Sequence, residues 1–183
     1  MQREYVGRLV RLRELEDDDL DAVVVLYRST PNYFAAIGYG REPASKLQLQ
    51  TEFMEAQRTD GRTLFAVVRC ADDTLIGMAD VQLEATMSDT ATIALLLIAG
   101  PYQKQGYGSD VADMLEQVLF AEPEVEFILA GVAESSVLGQ RFWQRRGYQY
   151  SGTTTHDPLT SRTTVWLAKK RPVTLSGGFS ADG

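Results

Sequence analysis

The sequence predicts an α+β fold, a mixed and mostly antiparallel sheet of seven strands with about four helices, and three observations carry that expectation. Three β-branched or apolar runs, 63–70, 75–83 and 90–98, follow one another across short polar breaks, the pattern of an antiparallel meander. The period then changes. Val111, Met114, Leu115 and Val118 fall at i, i+3, i+4 and i+7, with Asp110, Asp113, Glu116 and Gln117 on the other face, which is an amphipathic helix. A further apolar strand over 125–133 follows, and strand, helix and strand in succession imply a right-handed parallel crossover.

The remaining elements take their places around this centre. Tyr5 to Leu12 alternates and reads as a single first strand. Glu16 to Asp19 supplies acids for a helix N-terminus, and Leu20, Val23, Val24 and Tyr27 continue at helical spacing. Ser29 to Glu42 is broken by Pro31, Gly38 and Gly40 but keeps Tyr33, Phe34 and Tyr39, so a loop that covers something is expected. Pro43 suits the first turn of a second helix running to about Arg58. Residues 136–146 form a last helix stopped by Gly147, with Arg145 and Arg146 at its negative end. Two closing strands run over about 148–154 and 163–169. Residues 1–170 are expected to form one domain, and 171–183, with three Gly and two Ser, a loose tail.

Composition narrows the function classes. A chain of 183 residues with 44% apolar and 23% charged residues can bury a core without disulfides or metal. The lone Cys70 cannot close an intrachain bridge and is expected to pack within its strand. No apolar run approaches the roughly 20 residues that span a bilayer, and Met1 to Val10 has no unbroken apolar stretch. A cytoplasmic protein without a membrane partner is expected. A net charge of -7 and a pI near 4.8 make nucleic acid a poor partner.

The chemistry sits between the apolar strand ending at Ile98 and the amphipathic helix starting near Ser109. A glycine-containing strand-to-helix turn aims unpaired amides at one point, and the helix dipole adds about half a positive charge there, which suits a phosphate. Gly106 and Gly108 allow close approach and positive φ. The pair alone equally fits a tight turn and cap. A dinucleotide fingerprint would need glycine where Val111 stands, and a P-loop would need Gly-Lys followed by Ser or Thr, which the chain lacks.

What remains, Gln103-x-x-Gly106-x-Gly108 between a strand and a helix, resembles motif A of the Gcn5-related N-acetyltransferase (GNAT) family. The element order over about residues 5–170 is similar to that family's, as is the helix pattern of Ser136 to Tyr148. The resemblance implies a GNAT-like acyl-CoA N-acyltransferase fold with acetyl-CoA as co-substrate and no metal. Coenzyme A would lie on Gln103, Lys104, Gln105, Gly106, Tyr107, Gly108 and Ser109, and its pantetheine arm beside Leu96, Leu97 and Ile98. This requires the strand at 90–98 to be bulged and splayed from its parallel neighbour. Ser136 stands where the family often has Asn, and Trp143 where it often has the Tyr assigned as general acid. Indole donates no proton at neutral pH, so Trp143 is either packing or a wall of the thioester site.

An aliphatic amine must lose a proton before it attacks. Asp80 and Glu134 are the carboxylates expected near the bulge, in preference to Glu84. His156 reads as a surface turn residue. Tyr33, Phe34 and Tyr39 fall where family members cover the acceptor, a small-molecule, protein or peptide amine. The implied function is acetyl transfer from acetyl-CoA to a primary amine by direct attack in a ternary complex. A non-catalytic acyl-CoA-binding or sensing module of the same fold is the alternative, and a homodimer is left open.

Overall fold

Gly7 folds the first expected strand back on itself. In the computed structural model, which describes residues 4–31, 33, 45–83, 89–158 and 161–173, Glu4–Val6 (β1) and Val10–Glu14 (β2) pair antiparallel. The sheet therefore has eight strands, not seven. The hairpin is held from far along the chain. The Asp110 carboxylate accepts the N–H groups of Arg8, Leu9 and Val10 at 3.2, 2.7 and 3.1 Å. A Cβ on Gly7 would stand 2.7 Å from Asp110 Oδ2 and 2.8 Å from Met114 Sδ, so only glycine allows this approach.

Helix α1 (Leu20–Arg28) follows, and α2 (Lys46–Arg58) opens on a capping box in which Ser45 and Gln48 bond reciprocally at 3.3 and 2.7 Å. Pro43, expected in that first turn, lies outside the described residues, as do the turn near residue 87, Glu84 and positions 174–183 of the expected tail. Arg62–Arg69 (β3), Leu75–Leu83 (β4) and Thr90–Ile98 (β5) form the meander. Cys70 falls just past β3 and is exposed, so its expected strand packing is corrected. Tyr107–Ala121 (α3) crosses over to Phe127–Ala133 (β6), parallel to β5. Val137–Arg145 (α4), Gln149–Asp157 (β7) and Arg162–Lys170 (β8) complete the order β1-β2-β3-β4-β5-β6-β8-β7.

Alternation along the strands divides the core in two. On one face Val10, Leu12, Ile76, Ile93, Ile128 and Leu167 pack under α3 and around Trp143 of α4. On the other, Ala66, Val68, Met78, Leu97 and Ala133 pack under α1 and α2. The C-terminal end of α3 is closed by Arg171, whose guanidinium donates to the carbonyls of Phe120, Glu122 and Val125. Among the described residues no helix is long and apolar enough to cross a membrane.

Two polar anchors set the stability of this frame. Asp110→Ala leaves three amides without their acceptor, and we expect a loss of about 2–3 kcal/mol, read as a fall of about 5–10 °C in Tm. Asp19 is half-enclosed and accepts from Arg13 at 2.6 and 2.7 Å and from the Glu16 N–H at 2.9 Å. Burial raises its carboxyl, but the Arg13 and Glu16 hydrogen bonds outweigh it and hold the group below its ordinary value. The contribution is full above the unfolded value of about 3.9 and is lost as pH falls through the lower folded value. Asp19→Asn therefore costs about 1–2 kcal/mol near pH 7, and denaturant unfolding in acid finds the gap between wild type and variant closing.

Candidate active site between the splayed central strands

One extra residue opens the sheet. Asp80 pairs with Leu95 and Val81 with Ile93, so Ala94 has no partner on β4 and forms a β-bulge. On the other side of β5, pairing with β6 ends at Ile93 and Ala130, although β6 continues to Ala133 against β8. The Ala99 N–H donates to Ile76 C=O at 2.8 Å across to β4. By alternation the main-chain groups of Leu96 and Ile98 face the opposite side, where no strand meets them. A cleft of about 790 Å³ occupies the gap.

The turn after β5 closes one end of this cleft. Gln103 donates from Nε2 to the Ile98 carbonyl at 2.8 Å, replacing the missing strand partner. Lys104 (φ 61°) and Gly106 (φ 90°) are both left-handed, so lysine occupies a conformation that favours glycine. Ser109 and Asp110 each donate to the Gly106 carbonyl at 3.1 Å, whereas the amides of Gln105, Gly106, Tyr107 and Gly108 meet no acceptor among the described residues. Gly108 departs from expectation: it is helical, without positive φ. A Cβ there would lie 3.8 Å from Ile98 Cγ1 and Phe142 Cε2 and 3.9 Å from Leu96 Cδ2, all ordinary contacts facing the cleft.

Most of the residues singled out in the sequence converge here. Leu96, Leu97, Ile98, Gln103, Lys104, Gly106, Gly108, Ser109, Ser136, Trp143 and Tyr33 all line the cleft. Gln105 and Tyr107 do not. Gln105 donates to the Pro101 carbonyl at 2.8 Å, and Tyr107 stacks edge-on against Tyr102 at 6.1 Å. Phe34 and Tyr39 lie outside the described residues. Ser136 accepts the Gly139 N–H at 3.3 Å and starts α4. Trp143 is 6% exposed, edge-on to Tyr148 at 4.8 Å and to Phe142 at 5.1 Å, so it both packs and forms cleft wall. Tyr148 is no substitute acid within the cleft: burial pushes its hydroxyl above the ordinary phenol range, and it is not a lining residue.

Neither expected carboxylate reaches this cleft. Asp80 is 7% exposed and gripped by Arg62, with Nη2 to Oδ2 at 2.7 Å and Nε to Oδ1 at 3.1 Å. It shares the face of Met78, toward α1 and α2. Glu134 is exposed just past β6; its N–H donates to the Thr163 carbonyl at 2.9 Å and its own carbonyl accepts from Gln140 Nε2 at 2.8 Å. Neither lines the gap. His156 belongs to β7 rather than a turn and is exposed, with Nδ1 3.3 Å from Thr163 Oγ1. Among the described residues no group of His, Cys, Asp and Glu is gathered as a metal site.

Sequence reasoning passed over Phe142, Leu138, Arg145 and Arg162, which also line the cleft. Phe142 lies beside Trp143 on a helix already singled out, which was the available signal. Arg162 had none, since a basic residue starting a closing strand looks like surface.

The fold has counterparts among known proteins. Residues 12–156 match the family model described as Acetyltransferase (GNAT) domain. No curated protein matches the sequence. Among solved structures, an acetyltransferase from Thermus thermophilus superposes with a TM-score of 0.73 at 21% identity, covering 91% of this chain and 100% of its own. A spermidine N-acetyltransferase from Vibrio cholerae, in complex with CoA and spermine, gives 0.71 at 16% identity, with coverages of 88% and 95%. A PaiA N-acetyltransferase from Thermoplasma acidophilum, in complex with coenzyme A, gives 0.67 at 21%, with coverages of 90% and 100%. These likenesses concern the fold, and the family model spans most of the chain, so this protein belongs to the GNAT acetyltransferase family.

Proposed function

We propose that this chain transfers the acetyl group of acetyl-CoA to a primary amine by direct attack within a ternary complex. The observation that carries the reading is the run of unpaired main-chain groups: amides of 105–108 at the start of α3, then Leu96 and Ile98 along the splay. The first set fits a diphosphate at a helix N-terminus, with Lys104 beside it. The second fits the amide groups of a pantetheine arm, which would restore the ladder that β6 leaves unmade. Coenzyme A complexes of two structural neighbours, from Vibrio cholerae and Thermoplasma acidophilum, support the same reading.

In the step itself the ammonium first gives one proton to water, the free amine nitrogen bonds to the thioester carbonyl carbon, the C–S bond breaks with its electron pair leaving on sulfur as thiolate, and the second nitrogen proton passes to water, from which the thiolate is protonated. A main-chain N–H near Ile98 polarises the carbonyl. The exposed Cys70 is not a lining residue, so no acyl-enzyme is invoked. Trp143 donates no proton. A thiol of pKa about 8.5 that leaves as thiolate at pH 7 forgoes about 2 kcal/mol, which slows the reaction without abolishing it. Deprotonation of the amine falls to water in the cleft, since no carboxylate lines it among the described residues.

Two experiments test this reading. In Gly108→Trp the indole fills the space between Ile98 and Phe142, and calorimetry should find acetyl-CoA binding weakened by about 100-fold or more, close to 2.8 kcal/mol, with the far-UV spectrum unchanged. Unaltered affinity defeats the site. Glu134→Gln should leave kcat/KM within about threefold; a loss of about 100-fold or more together with the basic-side pH limb would instead make Glu134 the base. Tight coenzyme A binding with no thiol release over a broad amine panel favours a sensing module.

A further inference from the structure

The acidic chain has placed no acid in its cleft. Against a net charge of -7, the described lining residues include Lys104, Arg145 and Arg162 but no Asp or Glu. Lys104 and Arg145 stand on the α3 and α4 side, where a diphosphate would sit. Arg162 stands elsewhere. A Cβ on Gly131 would touch Trp166 Cζ3 at 3.0 Å and Thr164 Cγ2 at 3.3 Å, so these three positions share a face. Arg162 shares it by alternation, two residues before Thr164. This is the α1 side, since Thr164 is opposite Ala133, which packs with Leu26, Leu97 and Ala99.

Arg162 also differs from the arginines that hold the frame together. Arg13, Arg62, Arg69 and Arg146 each grip a carboxylate, and Arg171 caps carbonyls. The Nε of Arg162 is buried and has no hydrogen-bond partner, and no ion pair involves this residue among the described residues. A buried guanidinium donor left unpaired costs more than it returns unless something arrives to accept from it. An Nε–H of this kind suits a carboxylate oxygen.

We infer that the acceptor is an amine bearing a carboxylate, of the amino-acid kind, and that Arg162 binds that carboxylate at the α1-side mouth of the cleft. The inference rests on the acetyl-transfer reading for the amine's role and names its substrate class. Ser29, Thr30 and Tyr33, at the end of α1, line the same mouth. A polyamine would instead bring further positive charge toward Arg162, with no carboxylate lining the cleft among the described residues to balance it. The spermine seen with the Vibrio cholerae neighbour is thus not the expected acceptor type here.

The test uses the full chain, acetyl-CoA and matched acceptors: a panel of L-amino acids, their carboxamides, the corresponding decarboxylated amines, and spermidine. Thiol release should favour at least one amino acid over its carboxamide and its decarboxylated amine by about 10- to 100-fold in kcat/KM, in keeping with a charge-assisted hydrogen bond. Arg162→Gln should raise the acceptor KM by at least about tenfold and erase that preference, while KM for acetyl-CoA stays within about twofold; Arg162→Lys, which keeps the charge but not the fork, should fall between. Equal use of carboxamides or spermidine overturns the inference, as does an Arg162→Gln effect on acetyl-CoA rather than on the acceptor, which would assign the guanidinium to a coenzyme phosphate. Should no amine release thiol, calorimetry of the same amino acids into CoA-saturated protein decides: binding that Arg162→Gln removes keeps the inference while ending the transferase reading, and absence of binding ends the inference.

Discussion

The site depends on one unpaired residue. Because Ala94 bulges out of β5, the strand bends between its partners, keeps its ladder with β4 and gives up its ladder with β6 beyond Ile93. A buried strand edge is ordinarily a liability, since each unpaired N–H or C=O forgoes a hydrogen bond that water would have supplied. Here the edge opens onto a cleft deep enough to admit a ligand. Gln103 closes its far end by donating to Ile98.

The two faces of the sheet then take separate tasks. On the α3 side, the hairpin of β1 and β2 is pinned to the first turn of α3 by Asp110. That pin fixes the helix start at which Gly106 and Gly108 line the cleft, so an N-terminal hairpin and a residue about one hundred positions later set the same turn. On the α1 side Gly131, Thr164, Trp166 and Arg162 share one face of β6 and β8, with Thr164 buried and Gly131 and Arg162 lining the cleft. Among the described residues that line the cleft, Arg162 is basic and none is a carboxylate. Asp80, buried near the bulge, is already paired with Arg62 under α2, which makes it part of the frame more than of the cleft.

Legibility followed the range of the forces involved. The meander, the amphipathic α3 and the parallel crossover were readable because each is written in a local period of apolar residues. Gly106 and Gly108 were readable as a pair, yet for different reasons than the pattern suggested: Gly106 needs its positive φ, while Gly108 is helical and merely leaves space. The hairpin at Gly7 was hard to read, since a single glycine is the only break in the stretch from Tyr5 to Leu12 and the stabilising carboxylate comes from Asp110. Asp80 sits at the bulge as its hairpin register suggests, but register does not reveal that Arg62 holds its carboxylate.

By itself the sequence determined the fold class, the order of its elements and the strand-to-helix turn from Gln103 to Ser109, because apolar periodicity and glycine conformation act over a few residues at a time. Only the tertiary structure decided where β5 parts from β6, which residues face the resulting gap, and that Arg162 stands there without a carboxylate partner among the described residues. Those outcomes are set by register, packing and charge pairing between segments tens of residues apart, and no local pattern encodes which partner a side chain will find.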